Sequence, residues 1–122
     1  MAKILVADDE MDVGLIVTER LRRNGYEVEY VSDGKQATRK IQENVYDLLI
    51  LDVHMPAHTG YEVCEYSKKS AKNAKTPVLM MSAYPEEQSI WSRHHADAFI
   101  AKPFETGQLA MEVDRLLKGR AA

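Results

Sequence analysis

The sequence predicts an α/β domain built on a doubly wound, five-stranded parallel sheet of order 2-1-3-4-5 with five helices. Three observations carry this reading. Short apolar runs alternate with longer stretches of helical periodicity five times along the chain. Three of those runs are apolar without alternation, as in parallel strands buried on both faces. No Pro/Gly/Ser-rich linker, internal repeat or low-complexity tract divides the 122 residues, so a single domain over 1–122 is expected.

The elements follow in order. Ile4-Leu5-Val6-Ala7 reads as the first strand, and Val13, Val17 and Leu21 as the apolar stripe of a first helix stopped by Asn24-Gly25. Val28 to Val31 is the second strand, and Ser32-Asp33-Gly34 turns into a helix from about Lys35 to Asn44. Leu48-Leu49-Ile50-Leu51 is the third strand. Thr59-Gly60 opens a third helix that carries Val63 and Tyr66 and ends before Thr76-Pro77. Val78 to Met81 is the fourth strand, and Pro85 with Glu86 and Glu87 suits the first turn of a fourth helix. Ala98-Phe99-Ile100-Ala101 is the fifth strand. The fifth helix runs from about Glu105 to Lys118, with Leu109, Val113, Leu116 and Leu117 on one stripe. Right-handed crossovers leave few ways to join these units, and the 2-1-3-4-5 order leads.

Composition narrows the function. The net charge of −3 is spread along the chain, which removes the electrostatic case for direct nucleic-acid or membrane binding. The four lysines between Lys68 and Lys75 read as a solvated face. One cysteine, Cys64, excludes an internal disulfide and fits a core or semi-buried position in a reducing compartment. No signal peptide and no apolar run long enough to span a bilayer is visible, so a cytoplasmic protein is expected.

In a doubly wound sheet, chemistry collects beyond the carboxyl ends of the strands. The first strand ends in Asp8-Asp9-Glu10, the third in Asp52, the fourth in Ser82 and the fifth in Lys102-Pro103. Taken singly, Asp8 or Asp9 reads as a solvated loop acid or helix cap, and Ser82 says little. Together they place carboxylates, a hydroxyl and an ammonium on one edge. Clustered carboxylates repel unless a cation joins them, and Mg²⁺ suits an all-oxygen set that also accepts a phosphate oxygen. The set suits phosphoryl transfer onto a carboxylate.

The runs Ala7-Asp8-Asp9-Glu10, Leu51-Asp52-Val53-His54-Met55-Pro56, Met81-Ser82-Ala83 and Lys102-Pro103-Phe104 together resemble the signature of response-regulator receiver domains, chemotaxis-regulator-like modules of two-component signalling. The resemblance covers essentially the whole chain, as one receiver domain on a flavodoxin-like sheet; one receiver is a standard example of this strand order. It implies that Asp52 accepts the phosphoryl group. Asp9 would bind Mg²⁺ directly and Asp8 through water, beside Asp52 and the His54 backbone carbonyl. Ser82 and Lys102 would hold the phosphoryl oxygens, Ser82 and Phe99 would move together as the switch, and the Lys102–Pro103 peptide would be cis. The phosphodonor would be a histidine kinase or phosphotransfer protein, and output would pass to a downstream protein, an effector domain or a phosphorylation-dependent homodimer. The chain would be no enzyme beyond its own phosphorylation and dephosphorylation.

Some positions depart from the family pattern. Thr59 stands where an Asp often precedes the Gly, yet Thr still caps a helix. His95 stands where Gly is usual, so the fourth helix is not expected to reach a left-handed stop easily. Ile90 and Trp91 are adjacent and cannot share one stripe, which favours partial exposure of Trp91. His54 and His58 have helical metal spacing, but Pro56 between them argues against a helix, and His94 and His95 diverge. His54 and Tyr84, two residues past Asp52 and Ser82, would flank the phosphoryl group and hinder the hydrolytic water.

Other classes fit worse. A dehalogenase-like phosphatase wants a second carboxylate where His54 stands. A flavodoxin-like cofactor binder needs hydroxyls and glycines in the first loop, where Asp8-Asp9-Glu10 would repel a phosphate. A docking module would have no use for the intact acidic edge. A single-domain regulator and a receiver from a longer protein both remain compatible with the sequence.

Overall fold

The structure, a computed structural model, describes residues 1–84, 90 and 94–121, with side chains as far as Gly119. Strands β1 (Lys3–Ala7), β2 (Glu27–Val31), β3 (Leu48–Asp52), β4 (Val78–Ser82) and β5 (Ala98–Ala101) form one parallel sheet of order β2-β1-β3-β4-β5. That is the order the sequence predicts. The apolar runs are buried on both faces because alternate residues enter two separate cores. Leu5, Leu49, Leu51, Val78 and Met80 face one side with Ile41 and Val63. Ile4, Val6, Leu48, Ile50, Leu79 and Met81 face the other with Val17, Leu21, Leu109 and Val113. Burying one such side chain stabilises by about 1.5–3 kcal/mol, which holds the central strands fixed.

Helices α1 (Met11–Arg23), α2 (Gly34–Glu43), α3 (Gly60–Lys69) and α4 (Thr106–Ala121) cover the sheet. Gly25, at φ +95°, ends the turn after α1. The Asp33 side chain caps α2 by accepting from Gln36 N at 2.7 Å. Thr59 and Glu62 form a capping box at α3, so the Thr in place of Asp costs the helix nothing. Cys64 is buried, as expected.

Three expectations need comment. Four helices stand among the described residues, not five; the helix expected from Pro85 and the exposure of Trp91 fall outside those residues. His95 does adopt the left-handed conformation, at φ +70°, against the expectation drawn from its missing glycine. The turn into β5 imposes that backbone, and His is among the non-glycine residues that enter this region most readily. His95→Gly is therefore expected to stabilise the protein by about 1 kcal/mol, read from urea unfolding midpoints. The lysine-rich tract is only partly a solvated face. Lys69, Lys72 and Lys75 are exposed, but Lys68 bridges the Thr76 carbonyl and Asp97 at 3.0 and 2.8 Å.

The ladder runs one residue past several strands and thereby sets the carboxyl edge. Asp8 N donates to Val31 O, Val53 N to Met81 O, and Lys102 N to Ser82 O. Asp8, Asp52, Ser82 and Lys102 are thus held by main-chain bonds as well as by packing.

Candidate functional site

Three strand ends, those of β1, β3 and β5, meet at the Lys102 ammonium. Its Nζ lies 2.8 Å from Asp8 Oδ2, 3.0 Å from Glu10 Oε1 and 3.4 Å from Asp52 Oδ2. Asp8, Asp52 and Ser82 are all buried. Asp8 Oδ1 accepts from Glu10 N at 2.8 Å. Oδ2 has only the ionic contact with Lys102, off the axis of a directed hydrogen bond, and is otherwise a buried oxygen without a donor. Ser82 Oγ accepts from Tyr84 N at 3.0 Å, which aims the hydroxyl toward the edge. An open cleft of about 250 Å³ joins Asp9, Glu10, Asp52, His54, Ala83, Tyr84 and Lys102. The His54 and Tyr84 rings meet edge-on at 4.4 Å across it.

The electrostatics are those of a site short of positive charge. Burial, then the charge of Asp8, push the Asp52 carboxyl up to about 7, with Lys102 pulling the other way and hydrogen bonding to Asp8 and Asp9 adding to the rise. Burial alone would lower Lys102. Its close contact with Asp8, the charge of Asp52 and its hydrogen bond to Glu10 more than reverse this, so the ammonium is held above its ordinary range. One ammonium thus serves three carboxylates, and a second cation would relieve the remaining repulsion.

Oxygen atoms of Asp8, Glu10 and Asp52 lie within 4.8 Å of one another. An all-carboxylate set with one undonated buried oxygen and a wet, open side fits Mg²⁺, which binds through one or two carboxylates and keeps several waters.

Comparison with known proteins agrees with this geometry. Residues 4–114 match the response regulator receiver domain family. The chain belongs to the response-regulator receiver family. These receivers are the phosphorylation-dependent switches of two-component signalling, and they use Mg²⁺. Among curated relatives, this receiver is 34% identical over 118 residues to the alkaline phosphatase synthesis transcriptional regulatory protein PhoP of Bacillus subtilis, covering 95% of the chain and 48% of that protein. It is 31% identical to the phosphate regulon transcriptional regulatory protein PhoB of Rhizobium meliloti, covering 97% and 53%. The chain spans about half the length of these relatives. Among solved structures, it superposes on the response regulator TrrA of Thermotoga maritima, in complex with Mg²⁺-BeF, with a TM-score of 0.85 and 34% identity, covering 95% and 99% of the two chains.

Most of the receiver's expected site residues converge. Asp8, Asp52, Ser82 and Lys102 share the edge, and the Lys102–Pro103 peptide is cis. Asp9 lines the cleft from an exposed position at its rim. Phe99 is half-buried on β5, opposite Met80. Two partners carry no role in the sequence reading. Glu10 reaches Lys102, and Tyr30 donates from its hydroxyl to the Asp8 carbonyl at 2.6 Å. The acidic run itself hints at Glu10. Nothing local marks Tyr30, because the contact spans two strands.

Proposed function

We propose that this chain is one receiver domain over residues 1–122 that takes a phosphoryl group onto Asp52 and reports it through protein contacts. The observation that carries the reading is the grouping of Asp52 with Asp8, Glu10 and Lys102 at the carboxyl edge of the sheet. An Asp52 carboxylate oxygen forms a bond to phosphorus while the donor's P–N bond breaks, and the imidazole of a phosphohistidine leaves. The donor is a histidine kinase or a phosphotransfer protein in the cytoplasm. Asp9, Asp52 and the His54 carbonyl would hold Mg²⁺ directly and Asp8 through water. The ion supplies charge neutralisation for the transferring group. Lys102 then exchanges a carboxylate for a phosphoryl oxygen, and Ser82 turns its hydroxyl to another.

Both contacts exist only in the phosphorylated state, so both bias the switch, with Phe99 following Ser82. At about 1.5–3 kcal/mol each, two charge-assisted hydrogen bonds give about 3–6 kcal/mol, against the roughly 5.5 kcal/mol that moves a 1:99 equilibrium to 99:1. The chain acts on no substrate beyond its own phosphoryl group. The listener is a downstream protein, an attached effector domain or a second copy of the receiver.

Intact-protein mass after incubation with acetyl phosphate tests the reading. A single phosphoryl adduct is expected with Mg²⁺ and none with EDTA. No adduct, together with no beryllofluoride binding, would overturn it. His54 and Tyr84 narrow the approach of water to Asp52, so a His54→Ala, Tyr84→Ala variant is expected to lose its adduct faster than the parent. A slower loss would show that the two rings do not shield the phosphoryl group.

A further inference from the structure

We propose that Tyr30 is a positioning residue for the metal-binding turn, and that Gly14 is the space its ring requires. The proposal rests on the Mg²⁺ reading of the acidic edge and adds to it a residue outside that edge. Asp8 is, with Asp52, one of the two buried carboxylates of the cluster, and its direction depends on the peptide units on either side of it. Both polar groups of its own main chain are tied to β2. Asp8 N donates to Val31 O at 3.2 Å, and the Asp8 carbonyl accepts from the Tyr30 hydroxyl at 2.6 Å. The first bond continues the ladder and is open to any residue. The second needs a side chain long enough to cross from β2 past the end of β1, with a donor at its tip.

The carbonyl that Tyr30 holds belongs to the Asp8–Asp9 peptide. Fixing it fixes the rotation of the turn on which Asp8 points inward and Asp9 lies at the cleft.

Gly14 makes the reach possible. The Tyr30 ring packs against the face of α1 so closely that a Cβ on Gly14 would stand 2.1 Å from Tyr30 Cε1 and 2.8 Å from Cζ. Any side chain there pushes the ring, and with it the hydroxyl, away from the Asp8 carbonyl. Gly14 is buried in the first turn of α1, where glycine costs up to about 1 kcal/mol relative to alanine. The close approach of Tyr30 accounts for its presence.

Calorimetric titration of the metal-free full chain with Mg²⁺ alone tests this. Tyr30→Phe keeps the ring over Gly14 and removes only the donor, so the fold is kept. Its Mg²⁺ affinity is expected to fall about three- to tenfold, the worth of one hydrogen bond to the turn. A purely structural role would lower the unfolding midpoint in EDTA and leave the Mg²⁺ affinity alone. An affinity within twofold of the parent overturns the proposal. A parent that takes up no Mg²⁺ overturns the metal reading beneath it, which is a different result. Gly14→Ala adds a cycle. It is expected to weaken Mg²⁺ binding in the parent and to do nothing further in the Tyr30→Phe background. Equal losses in both backgrounds would remove Gly14 from the account.

Discussion

Asp52→Asn is expected to abolish the phosphoryl adduct and, in the absence of Mg²⁺, to make the protein more stable at neutral pH. The first effect is chemical. An amide oxygen in this position is no nucleophile, and Asp8, the other buried carboxylate of the cluster, is already engaged by Glu10 N and Lys102. The second follows from the raised Asp52 carboxyl. Its folded value of about 7 lies above the unfolded one, near 3.9. Between those values the native state holds a proton that the unfolded chain has released, so stability falls as pH rises through the window. Above pH 7 the full repulsion with Asp8 remains.

Asparagine does not titrate and carries no charge. The variant is therefore expected to gain about 2–4 kcal/mol over the parent at pH 8, and to lose the decline in stability between pH 4 and 7. Urea unfolding at pH 5 and pH 8 measures both. Added Mg²⁺ should then stabilise the parent more than the variant, because it joins the carboxylates whose repulsion Asn has removed. A parent that is as stable at pH 8 as at pH 5, with no gain in the variant, would show that the carboxylates are not in conflict.

Gly34→Ala and Gly60→Ala are expected to destabilise by about 3 kcal/mol or more, whereas Gly107→Ala should be neutral or mildly stabilising. The difference lies in what a new Cβ meets. At Gly34 it would sit 2.0 Å from the His58 carbonyl oxygen, at Gly60 2.3 Å from the Asp52 carbonyl oxygen, and at Gly107 nothing stands within 4 Å. His58 and Asp52 oppose the methyl with backbone, which cannot rotate aside. Both glycines close the loop between β3 and α3 onto its neighbours, through Gly34 N to Pro56 O and Gly60 N to Val53 O. Thermal melts should show losses of about 10 °C or more for the two loop variants. Gly60→Ala should also slow phosphorylation, since it displaces the main chain of Asp52 itself. A Gly34→Ala protein with parental stability would mean the loop yields without cost.

Much of this protein was legible along the chain. Strands buried on both faces announce themselves as unbroken apolar runs, and Leu48 to Leu51 could be little else. Caps at Asp33 and Thr59 are local, since each hydrogen bond spans three residues. Because strand ends converge in a doubly wound sheet, Asp8, Asp52, Ser82 and Lys102 could be gathered from their places after apolar runs, without any coordinates. What the sequence could not specify depends on atoms that meet across elements. Glu10 and Lys102 are 92 residues apart, and Tyr30 reaches Asp8 from a neighbouring strand. The left-handed backbone of His95 was likewise decided from outside, because the turn into β5 fixes φ and the residue accepts it. Periodicity and capping are properties of a few consecutive residues, so the sequence by itself determined the sheet, its order and the acidic edge. Which carboxylate pairs with Lys102, and which hydroxyl steadies the turn, depend on distances of a few tenths of an ångström that only the packed tertiary structure decides.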